Sequence, residues 1–137
     1  MDILGKPSND NEFLNISKLG GQLYRTKDLI YYDGPRFFIC LNDKNEIFLF
    51  NEKEDEEEYV EWFVIKPTKE SLIKFLKQEI SFRDFYKENI NTYFTVKYTY
   101  ENEEVSVDFN SSSGWVFDFY NDDRTLFYNV YDNIGEI

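Results

Sequence analysis

Apolar side chains recurring at every second position constrain this chain more than any other feature. Phe94, Val96, Tyr98 and Tyr100 alternate with Tyr93, Thr95, Lys97 and Thr99, and Val105, Val107 and Phe109 alternate with Glu104, Ser106 and Asp108. Successive side chains of a strand point to opposite faces, so a period of two marks strands with one apolar side. Trp115, Phe117 and Phe119 continue the pattern, and Leu126 to Tyr131 closes it. Residues 92 to 131 are therefore expected to form an antiparallel meander with turns at Glu101 to Glu103, Asn110 to Gly114 and Asn121 to Arg124.

Upstream the pattern is mixed. Asn11 to Leu19 reads as a short helix ended by Gly20 and Gly21, and Gln22 to Tyr32 reads as extended. Asp33-Gly34-Pro35 is turn chemistry, with Pro fixing one φ and Gly free to take a positive one. Phe37 to Asn42 is a continuous apolar run, the mark of a central strand covered on both faces. Asp43-Lys44-Asn45 turns it into Ile47 to Phe50, and an acidic run then bridges to a strand over Tyr59 to Ile65. Two helices follow. Thr68 is the N-cap of the first, with Leu72, Ile73, Phe75, Leu76 and Ile80 at helical spacing, and Ser81 to Asp84 is a capping box for the second. The expected fold class is α+β, an antiparallel sheet of hairpins and a C-terminal meander with two short helices packed on one side. The 137 residues suit one domain, 1–137, comprising an N-terminal segment 1–21, strands and helices over 22–91 and the meander over 92–137.

Tyr31-Tyr32-Asp33-Gly34-Pro35-Arg36-Phe37-Phe38, followed by a hairpin and by Ile80-Ser81-Phe82-Arg83-Asp84-Phe85, resembles a family of uncharacterised small bacterial and phage proteins. That family carries a Tyr-Tyr-Asp-Gly-Pro-Arg-hydrophobic motif, an acidic loop and a similar helix start. The similarity spans about residues 22 to 88. It implies a bacterial or phage origin and supplies no activity and no functional residue.

Charge narrows the function. Lys plus Arg is 15 against Asp plus Glu 27, a net charge of −12, with no histidine and one cysteine. Affinity for a phosphate backbone comes from Lys and Arg, so direct nucleic-acid binding is not expected. Lacking histidine, the chain has neither a Ser-His or Cys-His pair nor a His metal ligand, and one thiol makes neither an internal disulfide nor a zinc cage. We therefore expect no cofactor, no metal and no catalytic residue. Asp108, Asn110 and Ser112 alternate as in a calcium loop, but Ser113 and Phe119 stand where that loop needs Gly and Glu, so a turn is the better account. The longest apolar run, Phe37 to Leu41, is far short of a bilayer span, and Met1 to Asn11 holds no leader, so no membrane role and a cytoplasmic location are expected. A lone thiol, Cys40, fits a reducing compartment; inside an apolar strand it should be buried and inert.

The charge is also unevenly placed. Residues 52 to 61 carry −6 and residues 101 to 137 carry −8, leaving a nearly neutral body. A solvated loop is one reading. The other is a negative face for a basic partner, with Glu54, Asp55, Glu56, Glu57, Glu58, Glu61, Asp122 and Asp123 as the contact residues. Asp33, Gly34 and Arg36 form a candidate ligand loop, against which stands a plain turn whose Arg36 pairs with an acid. Aromatic side chains reach 20%, and Tyr24, Tyr31, Tyr32, Tyr93, Tyr120, Phe127, Tyr128 and Tyr131 come from both strand faces, more than one core buries. The expected function is a non-enzymatic acidic inhibitor or neutraliser, of counter-defence or immunity type, that covers a basic surface of a protein such as a nuclease by mimicking phosphates. A sequestering protein for a nucleotide signal, with a pocket at a subunit boundary of a homo-oligomer, is the second reading. A small hydrolase with paired carboxylates is the third.

Overall fold

The computed structural model describes residues 4–31, 33–89 and 93–109. Seven strands carry the fold among the described residues: β1 (Glu12–Ile16), β2 (Gly21–Tyr31), β3 (Pro35–Asn42), β4 (Ile47–Asp55), β5 (Tyr59–Ile65), β6 (Tyr93–Thr99) and β7 (Glu104–Asp108). Helices α1 (Lys69–Leu76) and α2 (Phe82–Asn89) lie between β5 and β6. The strands form one sheet in chain order, each pair antiparallel. The whole sheet is thus a meander.

Bulges interrupt β1–β2, β2–β3 and β4–β5. A bulge adds a residue to one strand and increases its local twist, so the sheet coils. The coil is tight enough for β1 to reach back over the interior. The Phe13 ring stands edge-on to Phe38 of β3 at 5.2 Å, Phe50 of β4 at 5.5 Å and Trp62 of β5 at 5.4 Å. Ser17 and Lys18, just past β1, and Val105 and Val107 of β7 line a common cavity, so β1 and β7 approach one another. The result is barrel-like and nearly closed.

Two apolar clusters follow. Leu23, Phe38, Cys40, Phe48, Phe50, Trp62, Val64, Phe94 and Val96 fill the interior of the coil. Leu29, Phe37, Ile39, Leu49, Phe63 and Ile65 face outward and are covered by Leu72, Phe75, Leu76, Phe85 and Tyr86 of the helices. Phe37 and Phe38 are 1% and 0% exposed, which shows that β3 is covered on both faces. Burying each such ring contributes about 1.5–3 kcal/mol.

The α+β expectation, a sheet with two short helices packed on one side, is corrected here. The molecule is mostly antiparallel sheet rolled on itself. The helices are a short insertion over one outer patch, and much of the core lies inside the sheet. Two further expectations change. Asn11 to Leu19 is not a helix but two 3₁₀ turns, Asn9–Asn11 and Ser17–Leu19, flanking β1. Glu52 to Asp55, read as a bridge, belong to β4. The helix caps stand: Thr68 Oγ1 accepts the Ser71 N–H at 3.1 Å, and Ser81 Oγ accepts that of Asp84 at 3.1 Å. Turns expected beyond residue 109 lie outside the described residues.

Candidate functional site

A meander sends alternate connections to the same end. The β2–β3, β4–β5 and β6–β7 turns share one end of the coil, because β3 begins beside the end of β2 and β5 begins beside the end of β4. A backbone bond links two of them directly, the Tyr100 N–H donating to the Glu58 carbonyl at 3.0 Å. The acidic run and the start of the acidic C-terminal zone therefore meet: Asp33, Asp55 to Glu58 and Glu101 to Glu104 are all exposed there.

At the centre of this end is a cavity of about 290 Å³. Val60 and Trp62 from β5, Tyr98 of β6 and Tyr100 just past it, Phe13 and Leu14 from β1 and Pro35 of β3 make it apolar. Strand parity explains the set, since Val60 and Trp62 are two residues apart on the interior face and pair with Tyr98 and Val96. Asp33, Arg36, Glu52 and Asp55 complete the lining. Arg36 Nη1 donates to both carboxylate oxygens of Glu52 at 2.6 Å and lies 3.9 Å from Asp55, and its Nη2 donates to the Asp33 carbonyl at 3.1 Å. The Glu52 hydrogen bond pushes the guanidinium further above its ordinary range. Three acidic residues and one arginine line the cavity, so the lining is net negative.

The Tyr100 hydroxyl donates to Asp55 at 2.7 Å, and its ring stands edge-on to Tyr98 at 5.7 Å. Burial, then the Asp55 hydrogen bond, raise its phenol to about 12. On the outer face of the same end the Tyr59 hydroxyl donates to Glu54 at 2.8 Å, and that bond, ahead of burial, raises this phenol to about 12 as well. Lys97 lies 4.1 Å from the Tyr59 ring centroid, and Lys53 pairs with Glu61 at 3.1 Å.

The expected site residues divide accordingly. Asp33, Gly34, Arg36 and Asp55 line the cavity; Glu56, Glu57 and Glu58 stand exposed on the neighbouring turn; Glu54 and Glu61 are tied to Tyr59 and Lys53. Asp122 and Asp123 lie outside the described residues. So do Tyr32, Tyr120, Phe127, Tyr128 and Tyr131. Tyr31 is exposed, whereas Tyr93 packs half-buried against the outer core. The sequence reading missed Phe13, Glu52, Trp62, Tyr98 and Tyr100 as a site. Parity alone puts Trp62 with Val60, and Tyr98 with Tyr100, but only the coil brings Phe13 to them.

A family model matches residues 12–113, which spans β1 to β7 and every residue that lines the cavity. The chain belongs to the DUF6575 family, a family of unknown function. No curated protein and no solved structure matches it. Among the described residues no helix is long and apolar enough to cross a membrane, and no three metal-ligating side chains come together.

Proposed function

We propose that this protein acts by binding rather than by catalysis, its acidic end covering a basic surface of a target protein. The supporting observation is the meeting of three turns, carrying Asp33, Glu56 to Glu58 and Glu101 to Glu104, around one aromatic cavity. Clustered negative charge steers a basic partner into contact, and Tyr and Trp side chains that become buried in the contact anchor what charge has steered. The resemblance of Tyr31 to Phe38 to bacterial and phage proteins implies such an origin only; within it, the acidic end suits a cytoplasmic inhibitor of counter-defence or immunity type. A nuclease or DNA-binding enzyme, whose groove is positive, is the target of choice.

Sequestering an anionic nucleotide is less well supported, because Arg36 is engaged by Glu52 and carboxylates outnumber it at the cavity. Paired-carboxylate hydrolysis is also less well supported, since Glu52 is held by Arg36 and Asp55 by Tyr100. The test is capture of a partner from bacterial lysate by the full chain, then association kinetics with that partner. Changing Glu56, Glu57 and Glu58 to Gln should slow association about 10-fold, with a shallower salt dependence than the parent chain. Unchanged rates and salt response would reduce the acidic turn to a solvated loop. Loss of binding on Arg36→Ala alone would favour the small-anion reading.

A further inference from the structure

We propose that the cavity is a receptor for one arginine side chain of the partner. This rests on the reading of the acidic end as a contact face, and names what that face holds at its centre. A hole of about 290 Å³ lies at the lower limit of small-molecule pockets, so it suits one long side chain better than a nucleotide. Its lining includes the rings of Trp62, Tyr98 and Tyr100, and aromatic rings attract a cation, most strongly when the cation is desolvated. Its charges leave a surplus of two carboxylates after Arg36 is matched, so an entering cation is favoured and an entering anion is opposed. Arg36 shows that Glu52 and Asp55 already accommodate a guanidinium between them. An arginine fits better than a lysine because its planar head stacks on rings and forks to carboxylates, whereas an ammonium is a strongly hydrated point charge.

The probe is N-acetyl-arginine methylamide added to the full-length protein, read by the Trp62 indole N–H resonance, which Trp62→Phe assigns. The arginine amide should shift that resonance saturably. The lysine amide should bind more weakly, and the neutral norleucine and acidic glutamate amides should leave it in place. Tyr100 and Asp55 are both exposed by more than two fifths, so Tyr100→Leu with Asp55→Asn should fold normally and weaken arginine binding about 10-fold. No saturable shift, or an equal shift from norleucine, overturns the proposal, and tighter binding of lysine overturns the choice of arginine. Self-association of the parent chain that Tyr100→Leu abolishes would assign the cavity to a second copy and overturn it too. The Glu56, Glu57 and Glu58 to Gln variant separates the two readings, because those side chains do not line the cavity. It should keep probe affinity within about twofold while slowing association with the whole partner. Probe binding without that slowing sinks the contact face, and slowing without probe binding sinks the receptor.

Discussion

Cys40 pairs with Phe48 across β3 and β4 and is fully enclosed by the interior of the coil. Burial pushes its thiol well above the ordinary range, so it stays protonated and unreactive. A hydroxyl in the same place lacks the water it would otherwise bond, and Cys40→Ser should cost about 1–3 kcal/mol in denaturant unfolding. Rapid native labelling by a thiol reagent would contradict this burial. Tyr59 and Tyr100 report the acidic end differently. Each phenol has a folded pKa of about 12 against an ordinary 10.0, so folding favours the protonated form. The stabilisation this brings is fully present below about pH 10 and disappears as pH rises through 12. The parent chain should therefore lose stability over that window, and a Tyr59→Phe/Tyr100→Phe variant should lose less. Parallel curves for the two proteins would show that neither hydroxyl is held by its carboxylate.

At the scale of elements, the end of the coil opposite the cavity is fixed by one buried side chain. Asn42 accepts the Lys44 and Glu46 N–H groups at 3.0 Å each, and donates to the Leu19 carbonyl and to Glu46. Gly20 closes the β1–β2 turn against it with φ 93°, and a Cβ there would stand 2.5 Å from Asn42 Nδ2. Gly20→Ala should cost about 1–3 kcal/mol, since it adds left-handed strain to displacement of a bonded amide. A thermal midpoint equal to the parent's would refute that. Such turns were largely legible: Asp43 to Asn45, the strand over Tyr59 to Ile65 and the caps at Thr68 and Ser81 all follow from local chemistry. β1 was not. Phe13, Leu14 and Ile16 suit either period over so short a stretch, and a bulge between Glu12 and Asn15 breaks strict alternation. Pairing with β2 decides the outcome, and pairing is not a local property. The same holds for Glu52 to Asp55, whose charges look like a loop until β5 is set beside them.

For the whole molecule, the illegible step was closure. Alternation shows which residues share a strand face, but not that β1 will cross the interior to touch β3, β4 and β5. Closure turns an expected sheet and helix layer into a coil with its own core. It also creates the cavity, by bringing Phe13 to Trp62 and Tyr98, and it sets two acidic stretches some 45 residues apart at one end. The central claim is that this end meets the partner. Amide hydrogen exchange on the full chain, alone and with its captured partner, tests it most directly. Protection should fall on residues 33–36, 55–60 and 98–104 and spare α1 and α2. Protection confined to the helices or to the β3–β4 turn, or a chain that captures no basic partner at all, would contradict the account.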